Sequence, residues 1–194
     1  IRDSPMTHSP PSARATIRRA GERGHYDRAT AHAIVDAAWL CHVAFTDTRG
    51  HDADAEPFAV NLPTACWRIG ERLYIHGANG SPMMKRLASG VQACVAITHL
   101  DGMVLARSAF SHSMNFRSVV IYGRFETVPD AEKAAVLSAF MDHIVPGRQL
   151  EVRPGDANEL KATTVLGIDL SEASAKVRNF GAGFAPVSYT HLRA

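Results

Sequence analysis

The stretch Leu73-Tyr-Ile-His-Gly-Ala-Asn-Gly-Ser-Pro-Met-Met-Lys-Arg-Leu-Ala-Ser-Gly90 decides how the rest of the chain is interpreted. Leu73 to His76 predicts the end of a strand, and the glycines and Asn within residues 77–80 predict a tight connection that tolerates positive φ. Ser81 has the side chain of a helix N-cap, and Pro82 suits the first helical position. The pattern therefore predicts a strand, a glycine-rich turn and a short helix.

The start of this predicted helix raises the question of an anion site. Free backbone N–H groups and partial positive charge at a helix N-terminus suit phosphate. Ser81 adds a hydroxyl group, and Lys85 adds a positive charge one turn later. The spacing matches neither the P-loop nor the dinucleotide fingerprint. The residues alone therefore favour an ordinary capped helix over a phosphate site.

Length and composition indicate one globular domain with a sizeable core, since the chain has 194 residues and 46% hydrophobic residues. The net charge of +2 is too small to indicate nucleic-acid binding. No apolar run approaches the ~20 residues of a membrane span, and no apolar N-terminal segment resembles a secretory signal. The three cysteines, Cys41, Cys66 and Cys94, are odd in number and lie in apolar runs. They predict free buried thiols in a cytoplasmic protein, not disulfides or a metal site.

Both ends differ in composition from the middle. Residues 1–13 contain three prolines and three serines and are expected to be disordered. Residues 186–194 show no matching periodicity and are expected to be a non-native tail, which leaves 14–185 as the folded domain. A basic run from Arg14 to Arg28 is interpreted as a solvated face, with the binding of a phosphorylated ligand as the alternative.

Short β-type segments dominate the middle of the chain, with few helices between them. Predicted strands cover 39–46, 57–69 interrupted at Pro63, 73–76, 91–98, 104–109, 116–128, 163–170 and 175–180. Helices are expected after the caps Asp27, Ser81, Asp130 and Asp156. Asp101-Gly102 predicts a hairpin turn, and Gly123 predicts a bulge or bend. This order predicts an α+β protein with a closed or nearly closed, mostly antiparallel β-barrel of six to eight strands and a few flanking helices.

Four motifs carry a resemblance to a known family. They are residues 19–27 followed by a helix and 40–45, residues 73–77 followed by Gly80-Ser and Lys85-Arg-Leu, residues 115–123, and residues 175–178. In this order and spacing they resemble the pyridoxamine 5'-phosphate oxidase-like superfamily, the FMN-binding split barrels. The branch that they resemble contains flavin-nucleotide-binding proteins and 5-nitroimidazole reductases.

The resemblance implies FMN at the interface of a homodimer, with each site using both protomers. The implied cofactor-binding residues are Asn61 and Leu62 beside the flavin ring, His76 and Gly77 near the ring or ribityl chain, Ser81 and Lys85 at the 5'-phosphate, and Arg117 and Ser118 completing the phosphate or ribityl contacts. With the resemblance added, the phosphate interpretation of Ser81 and Lys85 becomes the favoured one.

The resemblance also implies an FMN-dependent oxidoreductase. Electrons would pass from a small-molecule donor through the flavin to a small aromatic or nitro acceptor. His76 is the candidate catalytic residue, as a proton donor, and a hydrogen-bonded histidine at the end of a strand is the equally favoured alternative.

Three other functions stay open at this point. They are a non-catalytic flavin store or sensor, a haem-binding barrel with His42, His76 or His112 as ligand, and a deazaflavin protein. The His and Cys spacing supports no tetrahedral metal site. His42 lies in an apolar segment and is interpreted as a core or interface residue.

Overall fold

The structure is a computed structural model that describes residues 9–48 and 56–181. The expectations for residues 1–8 and for the tail 186–194 lie outside the described residues. The strands are β1 (Gly24–His25), β2 (Leu40–Asp47), β3 (Phe58–Ala65), β4 (Trp67–Ile69), β5 (Arg72–Ala78), β6 (Gln92–Val104), β7 (Ser113–Arg124), β8 (Glu126–Thr127), β9 (Thr163–Asp169) and β10 (Ala173–Arg178). The α-helices are α1 (Arg28–Asp36), α2 (Pro82–Ala88), α3 (Asp130–Ile144) and α4 (Ala157–Ala162).

The strands form two antiparallel sheets. One has six strands in the order β1-β10-β7-β6-β2-β3, and the other has four in the order β4-β5-β9-β8. The predicted α+β class with a mostly antiparallel split barrel is confirmed. The described residues contain ten strands, not six to eight. β1 was not predicted, two predicted strands each divide between the sheets, and the strand predicted at 104–109 is absent, because β6 runs on to Val104 and a connection follows.

The chain crosses between the sheets at two single residues. Cys66 separates β3 from β4, and Phe125 separates β7 from β8. Cys66 is 0% exposed and Phe125 is 2% exposed, so both crossings are part of the core. The bend predicted at Gly123 lies just before the second crossing. Its ideal Cβ position is 3.1 Å from Ile168 Cδ1, so a side chain here would crowd the facing strand.

Two hydrophobic clusters hold the fold together. The larger lies between the sheets and includes Ile34 and Val35 of α1 and Leu87 of α2, all at most 2% exposed. The smaller lies under α3 and centres on Trp67 of β4, with Val136 of α3 packed against it. Burying a large apolar side chain contributes about 1.5–3 kcal/mol, so α3 is held mainly by the smaller cluster.

The predicted hairpin at Asp101-Gly102 is wrong. β6 continues through both residues, with a register shift between Leu100 and Gly102 where it pairs with β7. The connection is instead residues 105–112, which include a short 3-10 helix at Ala109–Ser111. A local turn signal was overridden because the extra residue fits as a β-bulge in a long antiparallel pair.

Three of the four predicted helix caps are confirmed. Asp27 accepts a hydrogen bond from Thr30 N at 2.7 Å, and Ser81 accepts one from Met84 N at 3.4 Å. Asp156 forms a full capping box at the start of α4. Asp130 is not a cap: it is the first residue of α3, after Pro129, and pairs with Lys133 at 2.7 Å.

Candidate functional site

The predicted glycine turn is shorter than expected. Gly77 and Ala78 still belong to β5, so only Asn79 and Gly80 connect it to Ser81. Neither Gly77 nor Gly80 has positive φ, whereas Gly90, the predicted helix stop, has φ of +77°. The reason is that β5 pairs with β9 as far as Ala78, and the pairing keeps the backbone extended.

Ser81 and Lys85 lie on the same short helix segment, as predicted for a phosphate site. The Ser81 hydroxyl oxygen accepts from Met84 N, which leaves its own proton free to be donated. Lys85 is exposed, and among the described residues no carboxylate pairs with its ammonium group. The pair therefore offers one hydroxyl donor and one uncompensated positive charge at the surface.

His76 points away from this segment into the smaller hydrophobic cluster. Its ring centre lies 4.8 Å from that of Phe140 and 5.6 Å from that of Trp67. Its Nδ1 is buried with no hydrogen-bond partner. Burial lowers the pKa of this imidazole below its ordinary value, so the neutral ring is favoured. His76 follows Ile75, which faces the larger cluster, and strand alternation places His76 on the opposite side.

Asn61 and Leu62 lie on β3, an edge of the six-stranded sheet. Both are exposed, and the strand contains Pro63, as predicted for an edge. Leu62 is opposite the buried Val43, and Asn61 is opposite Ala44. The two side chains therefore point to opposite faces of the sheet, Asn61 to the outer face and Leu62 to the core face.

Arg117 and Ser118 on β7 also point to opposite faces. The Arg117 Nε donates to Asp101 Oδ2 at 3.0 Å, which supplies the partner that a charge in an apolar strand needs. This guanidinium lowers the pKa of the Asp101 carboxyl. Ser118 is opposite Thr98 and Lys176 on the outer face, and its hydroxyl donates to Lys176 O at 3.4 Å.

The structure brings some predicted site residues together and separates others. His76, Gly77, Ser81 and Lys85 lie on the continuous β5–α2 segment. Asn61 on β3 and Ser118 on β7 are three strands apart in one sheet, about 14 Å across the strands. The residue of β7 level with Asn61 is Tyr122, four residues from Ser118, which adds about 13 Å along the strands. One protomer therefore presents these residues as separate groups.

An open cleft of about 500 Å³ lies on the outer side of the six-stranded sheet, beside the end of α1. Its lining residues are Ala37, Ala38, Trp39, Leu40, His42, Thr98 and His99. Trp39 is 66% exposed and Leu40 is 52% exposed, which is unusual for adjacent large apolar residues. His99 Nε2 is hydrogen-bonded to Ile34 O at 2.9 Å, whereas the His42 side chain bonds to none of the described residues.

Of the two interpretations of His42, a core residue is wrong, and an interface residue stays a prediction. His42 is exposed on the cleft wall, beside the small residues Pro63 and Ala96 of the neighbouring strands. The alternation of buried Cys41 and Val43 around it contains the signal that was missed, since side chains two apart share a face. An apolar cleft with one free imidazole suits a large planar ligand.

The cysteines are free, as predicted. Cys41 and Cys66 are both 0% exposed, and a thiol–thiol hydrogen bond followed by burial raises the pKa of Cys41. Cys94 is half-buried, and burial raises its pKa too. High thiol pKa values make Cys41 and Cys94 poor nucleophiles, and burial removes Cys66 from solvent.

Within residues 9–48 and 56–181, no group of three or more His, Cys, Asp or Glu side chains is arranged to hold a metal ion. In the same ranges, no helix is long and apolar enough to cross a bilayer.

Comparison with known proteins gives one family and several similar structures. The family model described as pyridoxamine 5'-phosphate oxidase matches residues 27–177. No curated protein sequence matches the chain.

Two solved structures share about a third of their residues with this chain. The FAD and haem binding protein of Mycobacterium smegmatis is 34% identical, with TM-score 0.75, over 84% of this chain and 77% of its own. The flavocytochrome Anf3 of Azotobacter vinelandii is 33% identical, with TM-score 0.80, over 96% of this chain and 90% of its own. A 5-nitroimidazole antibiotic resistance protein described as putative, from Bacteroides thetaiotaomicron, is 20% identical, with TM-score 0.60, over 79% and 86%, which shows the shared fold alone.

Proposed function

Because the chain belongs to the pyridoxamine 5'-phosphate oxidase family, we propose that it is a flavin-binding oxidoreductase that uses FMN. The observation that carries the proposal is the family match over residues 27–177, together with an uncompensated Lys85 beside the free Ser81 hydroxyl where the phosphate is expected. Bound flavin supplies the redox chemistry, and the protein supplies binding and orientation.

Ser81 and Lys85 are proposed to hold the 5'-phosphate. The Ser81 hydroxyl proton is free because its oxygen is the cap acceptor for Met84 N. The Lys85 ammonium meets no competing carboxylate among the described residues. A charge-assisted hydrogen bond of this kind is about twice as strong as a neutral one.

The flavin ring is proposed to lie at a homodimer interface. Asn61 is expected beside the flavin ring and Ser118 at the phosphate or ribityl chain, and in one protomer the two lie three strands and four residues of register apart. A second protomer supplies the missing group if the exposed outer sheet faces meet. The exposed Trp39 and Leu40 support this, since a large apolar surface is stabilised by a partner.

His76 is proposed to contact the flavin through the β5 backbone and to shape the site from beneath. Its ring is packed against Trp67 and Phe140, and its lowered pKa keeps it neutral near pH 7. This neutral state disfavours the expected role of His76 as a proton donor, because the imidazolium form is the acid. The electron donor and acceptor are proposed to be small molecules.

The test is the visible spectrum and the mass of the flavin retained by the purified protein, before and after reconstitution with FMN. We expect flavin absorbance, and weaker retention in the Ser81→Ala/Lys85→Ala double variant. Lys161→Ala is the matched control, because Lys161 is an exposed lysine on a different helix. The proposal fails if the reconstituted wild type shows no flavin absorbance, and retention of FAD instead of FMN would correct the cofactor.

Activity is tested separately, by adding NADH or NADPH and a nitroaromatic acceptor to the flavin-loaded protein. Turnover supports an oxidoreductase. A stable flavin complex without turnover would instead indicate a store or sensor.

A second candidate is haem binding in the outer cleft, in addition to flavin. Two relatives above 30% identity are described as an FAD and haem binding protein and as a flavocytochrome. The cleft of about 500 Å³ has apolar walls and one unbonded imidazole, that of His42. Of the three histidines considered from the sequence, His76 is packed in the smaller cluster and His112 bonds to Ser108 O in the 105–112 connection. His42 is therefore the proposed axial ligand.

The haem candidate predicts a Soret band after reconstitution with haemin. We expect His42→Ala to lose or shift the band and His112→Ala to keep it. An unchanged band in His42→Ala would reject the assignment of the ligand.

A cytoplasmic location is also proposed. It is supported by three unpaired cysteines, which are typical of a reducing compartment.

A further inference from the structure

The guanidinium group of Arg178 is buried without an acidic partner. Arg178 ends β10 and is 5% exposed. Its Nη1 donates to Met114 O, Asn115 Oδ1 and Phe180 O at 3.2, 2.7 and 3.2 Å, and its Nη2 donates to Gly181 O at 3.4 Å. All four acceptors are neutral, and no carboxylate of the described residues pairs with it. A buried charge without an opposite charge is costly, so this corner of the fold favours an anion.

Two further cations lie at the same corner. The guanidinium carbons of Arg178 and Arg23 lie 4.2 and 4.8 Å from the centre of the Phe180 ring. Lys176 is two residues before Arg178 on β10 and points to the same face. Its Nζ donates to Arg19 O at 2.7 Å, which brings the basic segment before β1 against β10. Three positive side chains therefore surround one edge of the sheet.

The acidic side chain near this corner does not neutralise it. Glu22 Oε1 lies 3.3 Å from Arg23 Nε, but the Glu22 side chain is 69% exposed. The Arg23 Nε is buried and makes no hydrogen bond. A solvated carboxylate contributes little against a buried positive charge, so the corner keeps a net positive potential.

Unused donors accompany the excess charge. The Nε of Arg178 donates to none of the described residues. The Lys176 ammonium has three N–H groups, of which one is used. Guanidinium and ammonium donors grouped at one corner of the fold suit a compact oxyanion with several acceptor oxygens, of which phosphate is the common biological example.

We propose that Arg23, Lys176 and Arg178 form a binding site for a phosphate group beside the ring of Phe180. The site lies at the β1–β10 edge and shares no residue with Ser81 and Lys85. Two sources offer this chemistry: the phosphate of a flavin nucleotide that binds here and not at Ser81 and Lys85, or a separate phosphorylated small molecule. The site does not depend on flavin binding, since its charge and donors are present in the chain itself.

The experiment measures thermal unfolding of the full chain during titration with inorganic phosphate, at ionic strength held constant with chloride. A ligand that binds the folded state raises the melting temperature. We expect Arg23→Gln and Lys176→Gln each to weaken the affinity for phosphate roughly tenfold, the size of one charged hydrogen bond. Arg178 is not substituted in this experiment, because its guanidinium also donates hydrogen bonds to backbone carbonyls. Arg153→Gln is the matched control, since Arg153 is exposed and pairs with Glu159 elsewhere.

Two outcomes overturn the proposal: phosphate does not stabilise the wild type, or it stabilises the wild type and both variants equally. Parallel titrations with FMN and riboflavin then identify the source. Variants that weaken FMN binding but not riboflavin binding assign the phosphate to the flavin nucleotide. Variants that weaken only inorganic phosphate binding assign it to a separate ligand. The phosphate titration decides the site even if the wild type binds no flavin.

Discussion

The side chain of Met84 occupies the space that a Cβ atom on Gly77 would need. The ideal Cβ position of Gly77 lies 2.8 Å from Met84 Cγ and 3.2 Å from Met84 Sδ. Met84 is 2% exposed, so it has little freedom to move away. Gly77 is thus required by the packing of α2 on β5, whatever its proposed role beside the flavin. The sequence suggests Gly77 for a turn, but the structure requires it because α2 packs closely on β5.

Gly77→Ala is therefore expected to lower the free energy of unfolding by about 1–3 kcal/mol, the usual cost of overpacking a core. Urea unfolding measures this. Gly80→Ala is the control and is expected to stay within about 0.5 kcal/mol, because no atom lies within 4 Å of its Cβ position and its φ is not positive. Equal stability of the two variants would contradict the packing argument.

Asn79 is expected to fix the connection between β5 and α2. Its Nδ2 donates to Lys161 O at 2.6 Å, and its Oδ1 accepts from Thr164 Oγ1 at 2.8 Å. Asn79→Ala removes both bonds and should cost about 1–2 kcal/mol of unfolding free energy. Asn158→Ala is a suitable control, since only its backbone N–H, which donates to Asp156, is used. Hydrogen exchange of the Ser81 amide measures how firmly the connection is held, and it should be faster in Asn79→Ala than in the wild type. Equal exchange rates in the two proteins would show that Asn79 does not fix the connection.

Stability is expected to fall below pH 6.5 because of His76. Burial lowers its pKa from the ordinary value of 6.5, so between the two pKa values the unfolded chain binds more protons than the folded chain. The stability that neutral His76 contributes is fully present above pH 6.5. It is lost as the pH falls through the pKa of His76 in the folded state. Urea midpoints from pH 5 to 8 should show less loss in His76→Phe than in wild type. His112→Phe, an exposed histidine, should behave like wild type.

The capping box of α4 predicts a second pH dependence, in the acid range. Hydrogen bonds from Arg153 and from the Asp156 backbone lower the pKa of Glu159 from 4.5 to about 2. A lowered carboxyl pKa stabilises the fold above pH 4.5, and this contribution is lost as pH falls towards 2. The difference in urea midpoint between wild type and Glu159→Gln should be constant above pH 5 and shrink below it. Glu132→Gln, an exposed change on α3, should show no such trend.

Local signals in the sequence predicted much of the fold. The caps at Asp27, Ser81 and Asp156 depend on a side chain and a backbone N–H two or three residues away, so the sequence contains both partners. The interruption predicted at Pro63, which lacks a ladder donor and so marks an edge or a bulge, agrees with the edge position of β3. The failure at Asp101-Gly102 has the opposite cause, since the pairing of β6 with β7 joins residues that are distant from that turn signal.

The candidate site was predicted only in part. Ser81 and Lys85 are close in sequence, and their proximity follows from one helical turn. Whether Arg117 has a partner depends on Asp101, sixteen residues away on the facing strand. The exposure of His42 depends on which side of β2 faces the larger cluster, and that is set by α1 and β5.

The sequence by itself determined most of the element types, three of the four caps and the family, because these depend on short-range backbone geometry and on the order of motifs along the chain. The tertiary structure alone decided which charges are neutralised and which side chains reach a cleft. Those outcomes depend on strand register and sheet order, which bring together residues as far apart as Arg23 and Arg178. The electrostatic potential at a point is a sum over everything nearby in space, so no local stretch of chain contains it.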